Sequence, residues 1–330
     1  MRTLGKTALL IIGCLCAIAA QAQPASTGSG QAFPSRPVTL IVPVPPGGIL
    51  DYVARLVAPP LAKAIGQTVV VENKSGASGN IAATYVARAK PDGYTLLVGY
   101  SMFHVGNPTL FSQLQWDPLR DFSSVAMLAV SPHLIAVHPS LPVNTLQELV
   151  TYAKANPGKV NYGTPGNGSV PHVGVELFKQ MTKANFTQVP YKGSGPMMID
   201  VISGQVQMTV ATPPSVMSHI QAGKLRGLAI AAKRRSPLLP DVPTSAEAGF
   251  PGFELEAWVA LFAPTGTPPE AVKRLTDALK QVLDTDEIKK ATGNSGIEAR
   301  YMTPAQLDQL VKADLEYWSK VIREAKISAD

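Results

Sequence analysis

The histidines and cysteines of this chain are few, and the spacing of its nucleophilic and titratable side chains matches no recognisable reacting centre. Its 330 residues include five histidines and two cysteines. They contain no G-x-S-x-G elbow, no S-x-x-K pair, no phosphate-binding lysine loop and no H-E-x-x-H zinc pair. His133 and His138 are separated by strand-like sequence at an odd interval, which sends them to opposite faces, so no metal is expected between them. Gly166-Asn167-Gly168-Ser169 begins like a dinucleotide fingerprint, but Pro171 stands where the third glycine would be and no acidic partner is evident. No cofactor is expected. An enzyme acting on a small carboxylate is the alternative function, and it would have to draw on Asp51, His104 and His172, which have no paired partner at a recognisable spacing.

What the residues do offer is a cradle for an anion. In the run Arg36 to Arg55, an apolar strand ends in Pro45-Pro46-Gly47-Gly48 and opens directly into an amphipathic helix. Backbone N–H groups at a helix N-terminus have no partner within the helix, and the helix dipole favours negative charge there. Glycine removes the Cβ that would block a ligand, and proline stiffens the loop. An ordinary strand-to-helix connection would look the same, so other loops must agree. Four do: Gly99 to Pro108, Thr164 to Ser169, Lys192 to Pro196 and Ala211 to Ser215 follow strand-like runs and are rich in Gly, Pro, Ser, Thr or Asn. In open α/β sheets ligands bind beyond the carboxyl ends of strands. Such loops supply amides and hydroxyls but few acids or bases, which describes a pocket that binds rather than reacts.

The elements that must hold these loops alternate. Val38 to Val42, Val69 to Val71 and Tyr94 to Val98 read as strands, separated by helices through about Ile65 and from Ser78 to Arg88. After a break near Ser131-Pro132 the alternation repeats through Leu134 to Val137, Asn144 to Ala155, Val160 to Gly163, Pro171 to Thr182, Phe186 to Val189, Val206 to Val210 and Leu228 to Ala231. Trp258 to Phe262 is a further strand, and Pro269 to Val282 and Pro304 to Ile327 are helices that return to the first lobe. The expected fold is α/β and two-lobed, flytrap-like, each lobe a mostly parallel sheet flanked by helices, with the ligand in the interlobe cleft. Residues 33–131 with 253–330 form one expected lobe and 132–252 the other, joined by crossing segments near Val125 to Val130 and Phe253 to Phe262.

Composition adds the compartment. Arg2 and Lys6 precede an apolar run from Ala8 to Ala20 and the small-x-small pattern Ala20-Gln21-Ala22, so residues 1–22 read as a secretory signal peptide and 23–32 as a flexible leader. A lipoprotein signal that leaves a lipid-bearing Cys14 as the first mature residue is the competing reading. Both cysteines lie in the signal, which leaves the mature chain no disulfide, and a periplasmic location is expected. The formal charge of +6 is mildly basic. Lys233-Arg234-Arg235 is the one tight basic cluster and has no interleaved aromatic residues, so a nucleic-acid partner is not expected and a solvated loop is.

Several blocks in order resemble the Bug-type periplasmic solute receptors, the substrate-binding proteins of tripartite tricarboxylate transporters. They are FPSRPVTLIVPVPPGGILD, VVVENKSGASGNIAATYVARAKPDGYTLLVG, NYGTPGNGSVPHVGVELFK, VPYKGSGPMMIDVISGQV and LPDVPTSAEAGFPGFELEAWVALFAPTGTP. The resemblance implies a monomeric receptor that closes on a small organic carboxylate, held by backbone amides and water, and passes it to the membrane subunits of a transporter or to a sensor protein. Expected ligand contacts are Pro45, Pro46, Gly47, Gly48, Ile49 and Asp51 in the first loop and Ser101, Met102, His104 and Asn107 in the second. In the other lobe they are Thr164, Asn167, Ser169, His172, Lys192 and Gly193. Ile49 departs from the family, where a small hydroxyl residue is common after Gly48. Facing the cleft, Met102, Phe103 and His104 would favour an aromatic or otherwise apolar carboxylate, with dicarboxylates also in range; facing inward they are core.

Overall fold

The computed structural model describes residues 33–329; the expected signal peptide and leader lie outside the described residues. From the first ordered strand, each apolar β-branched run ends in a turn that starts a helix. β1 (Val38–Val42) leads to α1 (Ile49–Ile65), and β2 (Val69–Asn73) leads through a 3-10 turn (Ala77–Gly79) to α2 (Asn80–Ala87). β3 (Thr95–Tyr100) runs into a π-helical turn (Met102–Gly106) and α3 (Asn107–Leu110). After the long β4 (Phe122–Pro132) come β5 (Leu134–Val137), α4 (Leu146–Ala155), β6 (Asn161–Thr164), α5 (Val170–Thr182), β7 (Thr187–Pro190) and α6 (Ser194–Ile202). β8 (Met208–Ala211), α7 (Pro213–Gln221), β9 (Arg226–Ile230) and β10 (Glu256–Pro264) follow. The chain ends with α8 (Pro269–Leu283), α9 (Asp286–Asn294), β11 (Glu298–Met302) and α10 (Pro304–Glu324).

Two sheets result. One has the order β11-β4-β10-β3-β1-β2 and the other β7-β6-β8-β5-β9. Both are mixed rather than mostly parallel. β1 is parallel to β2 and β3, and β6 to β7 and β8, but β4, β5, β9, β10 and β11 pair antiparallel. The reason is that the crossing segments are themselves strands of the sheets, and a chain that leaves one sheet and returns to it must run in both directions. The parallel parts still align the carboxyl ends of β1, β2 and β3 in one sheet and of β6, β7 and β8 in the other, where helix N-termini gather.

A single residue, His133, separates β4 from β5. Its N–H donates to the Leu255 carbonyl (3.0 Å), its carbonyl accepts from Ala231 (2.8 Å), and Leu255 N–H donates to Ala231 (2.9 Å). Backbone pairing is therefore continuous from β10 through the crossing into the second sheet. The core follows the sheets, with Leu40, Leu96, Met127 and Phe262 fully buried in the first and Tyr162, Phe178, Phe186 and Phe253 around the second. α8 packs on α1, where Arg274 Nη2 donates to the Ala64 carbonyl (2.8 Å).

Candidate functional site

The first loop is shaped by its own hydrogen bonds. Gly48 occupies the N-cap of α1 in extended conformation, with no side chain capping the helix. Gly47 has a φ of +96°, a left-handed geometry that costs an L-residue about 1–2 kcal/mol. Asp51 Oδ2 accepts the Gly47 N–H (3.1 Å), while its Oδ1 accepts from Arg55 Nε and Asn73 Nδ2 (2.9 Å each). Asn73 Nδ2 also donates to the Val44 carbonyl (2.9 Å), tying the loop to the end of β2. Burial pushes the Asp51 carboxyl up, but the bonds from Arg55, Asn73 and Gly47 outweigh it and hold the group below its ordinary value. Asp51 is 5% exposed and turned into this network, so it braces the loop and does not face a ligand. The Gly47 amide, spent on Asp51, also leaves the expected donor set. Pro45, Pro46 and Gly48 stay exposed, and Ile49 is half-buried at the rim. Open space lies where a Gly47 Cβ would stand.

The second loop differs from the expectation. Residues 102–106 form a π-helical turn continuous with α3, and two of the expected contacts are core. Met102 is 1% exposed and lies against Gly106. His104, equally buried, stacks on Phe262 with centroids 4.0 Å apart and is surrounded by Trp116, Phe122 and Trp258. Burial pushes its imidazole down to about 3, against the opposing Pro118 carbonyl and Asp117 charge, so it is neutral at physiological pH. Neither side chain can select a ligand from inside the core; Phe103, half-buried over Tyr100, is the one of the three that stands partly clear. Ser101 Oγ and Asn107 Oδ1 are buried without a hydrogen-bond partner. Asn107 Nδ2 donates to the Ser78 carbonyl and Asn80 Oδ1 (2.8 Å each), pinning the turn that follows β2.

That turn is the feature sequence reasoning missed. Gly76, Ala77, Ser78 and Gly79 all have positive φ, and Gly79 packs against Phe103 and Pro43, so it adjoins the first loop. Its signal was present in Lys74-Ser75-Gly76-Ala77-Ser78-Gly79, another glycine-rich link between a β-branched strand and a helix.

In the second sheet the expected side chains mostly hold the loop itself. Ser169 is the N-cap of α5: its Oγ accepts the His172 N–H (3.4 Å) and donates to the Gly166 carbonyl (2.7 Å). His172 Nδ1 accepts the Gly168 N–H (3.0 Å), so that nitrogen braces the loop. Burial lowers the His172 pKa, with Glu176 opposing and Lys179 adding to the shift. Thr164 is fully buried, donating to Gly166 (3.4 Å) and accepting from Gln188 Nε2 (2.9 Å). Asn167 and Lys192 are exposed. Gly193, at φ +105°, is the uncapped N-cap of α6, and its own amide is held by the Pro165 carbonyl (3.1 Å). α7 also begins without a side-chain cap, at Thr212. The Cβ positions of Gly193 and Gly195 meet open space.

The two sets of loops meet where Leu110, at the end of α3, lies 2.6 Å from where a Gly168 Cβ would stand. The loops offer the uncapped starts of α1, α6 and α7, while the Ser169 and Thr164 hydroxyls and His172 Nδ1 are already engaged. No group of three metal-ligating side chains occurs among the described residues. The arrangement can hold an anion by backbone amides.

Comparison with known proteins is consistent with this chemistry. Residues 53–327 match the model of the tripartite tricarboxylate transporter family receptor. The chain is 36% identical to Protein BugT of Bordetella pertussis over 317 residues, 96% of each. Among solved structures it is similar to R. palustris Rpa4515 with adipate, at 40% identity and TM-score 0.84, covering 90% of this chain and 99% of that one. It is also similar to MatC from Rhodopseudomonas palustris with bound malate, at 37% identity and TM-score 0.80, covering 88% and 100%. By motif, fold and full-length similarity, the chain belongs to the tripartite tricarboxylate transporter family receptors of the Bug type.

Proposed function

We propose that this protein is a periplasmic receptor that captures one small organic carboxylate between its two lobes and delivers it for uptake or sensing, without transforming it. The observation that carries the reading is the uncapped N-terminus of α1, braced by Asp51 and Asn73 and fronted by Gly48. A 17-residue helix with no cap at that end leaves amides and a partial positive charge for an anion. The uncapped starts of α6 and α7 offer the same chemistry from the second sheet. Relatives solved with adipate and malate support a carboxylate as the ligand. We place the lobe boundaries at residues 33–131 with 253–330, and 132–252, which the membership of the strands in the two sheets supports. The periplasmic location rests on the signal-like start and on family membership; no described helix is long and apolar enough to cross a membrane. Membrane subunits of a transporter are the proposed recipients.

The test is a thermal-shift screen of the purified protein against mono-, di- and aromatic carboxylates. Ligand at about a hundred times its dissociation constant stabilises by roughly 2.7 kcal/mol, a shift of a few degrees at this size. A shift with one class, and the ligand recovered intact after incubation, is expected. Consumption of the ligand would make the protein an enzyme, and the absence of any shift would end the receptor reading.

A further inference from the structure

A groove of about 860 Å³ lies on the first lobe between α2 and residues 111–115, and nothing in the capture of a ligand requires it. Its floor is apolar. Ile81 and Tyr85, one turn apart on α2, are 53% and 48% exposed, and Phe111 and Leu114 face them across the groove. Ile81, Tyr85, Phe111 and Leu114 line one groove, and contiguous exposed apolar surface, unlike single exposed residues, marks interaction sites.

The rim is cationic and incompletely matched. Arg36 is paired with Asp92 at 2.8 Å. Arg88 Nη2 donates to the neutral amide of Gln115 (2.8 Å), and Lys90 has no carboxylate partner among the described residues. Lys74, 4.4 Å above the Tyr85 ring, is itself paired with Glu72, so the rim's unmatched charge is that of Arg88 and Lys90. Apolar floor and positive rim together fit a segment that carries an apolar side chain flanked by carboxylates, because complementary charge at a rim steers encounter while the apolar centre supplies burial.

We propose that this groove is the docking surface for an acidic, apolar-tipped segment of the membrane subunit that receives the ligand, an assignment that rests on the receptor reading above. The geometry gives docking a path to the ligand loops. Ala77 and Asn80 line the groove and belong to the turn that Asn107 pins and that packs, through Gly79, on Pro43 and Phe103. A partner seated in the groove therefore touches the element next to the first ligand loop.

The experiment compares parental protein with Arg88→Glu/Lys90→Glu, Tyr85→Ala and, as a control on the exposed face of α10, Lys312→Glu. Affinity for malate and adipate and melting temperature are measured on the purified proteins. Uptake of the radiolabelled acid that binds is measured in cells of the source organism carrying each variant in place of the parental gene. Uptake reduced about tenfold or more in the groove variants, with affinity and melting temperature unchanged and the control at the parental rate, is expected for a lost rim and floor contact. Parental uptake by the groove variants would overturn the assignment. So would an affinity that falls in step with uptake, which would make the groove part of the ligand site, or a second equivalent of the acid bound by parental protein and lost in the variants. A parental protein that binds neither these acids nor any other carboxylate would overturn the receptor reading itself, before any variant is compared.

Discussion

At the scale of residues, the proposed function divides the loops into groups that would present amides to a ligand and groups that hold those amides in place. Gly48 belongs to the first kind. Its φ of −83° is open to any residue, and an added Cβ would meet Val44 Cγ2 at an ordinary 3.5 Å, so Gly48→Val should fold normally while placing a side chain at the α1 N-terminus. We expect its carboxylate affinity, measured by calorimetry, to fall at least tenfold, about 1.4 kcal/mol or more. Gly47→Val is a poor substitute, because the strain at φ +96° would confound lost binding with lost stability. Ser169 belongs to the second kind. Since its hydroxyl caps α5, Ser169→Ala should lower stability to urea by about 0.5–2 kcal/mol whether or not ligand is present. An unchanged unfolding midpoint would mean that the cap contributes nothing. The sequence singled out glycine-rich loops at strand ends but not which kind each side chain in them is. Asp51, Ser169 and His172 are polar residues in a suspected binding loop, and only the geometry shows their atoms already engaged by Gly47, Gly166 and Gly168. Met102 and His104 failed for the opposite reason: a π-helical turn, which widens the helix and has no sequence signature of its own, turns both into the core.

At the scale of elements, the alternating strands and helices were legible because β-branched runs and amphipathic periods alternate cleanly, and Val38–Val42 and Leu134–Val137 fall where the pattern puts them. α9 and β11 were not legible. α9 is short and polar, and β11 is an edge strand whose residues are only partly buried, so neither carries a strong apolar period. The crossing between sheets holds a consequence for pH. His133 Nδ1–H donates to the Leu255 carbonyl (3.1 Å) from full burial, and that burial pushes its pKa down to about 4, against the carbonyl's opposing effect. In the unfolded chain the same group titrates near 6.5, so as pH falls below that value the unfolded state takes up a proton that the folded state refuses. Stability from His133 is thus complete above about pH 6.5 and is lost as pH falls toward 4, by roughly 3 kcal/mol at most, with His104 acting in the same sense. Asp314, whose pKa burial raises despite the bond from Trp258, acts the opposite way. Melting temperature should therefore decline between pH 6.5 and 4.5, and His133→Asn should be less stable at pH 7 but decline less steeply. Parallel slopes for the two proteins would remove His133 from the account.

At the scale of the whole molecule, two mixed sheets are joined through His133 on the outward crossing and through Leu255 on the return, and Leu110, beyond β3, meets Gly168, beyond β6. The general form was readable from the repeat of the alternating pattern after Ser131-Pro132, but the mixed character of the sheets was not, since direction depends on which strands the crossing segments join. The central claim is that an anion sits on the unspent amides at the start of α1 rather than on a cationic side chain. A crystal structure with a bound dicarboxylate tests it most directly. The account predicts a carboxylate oxygen within about 2.7–3.2 Å of backbone N–H groups at the α1 N-terminus, or one water away, with the second sheet's helix starts closing over the remainder. A carboxylate held instead by lysine or arginine side chains, or bound away from the Gly48 end of α1, would contradict it.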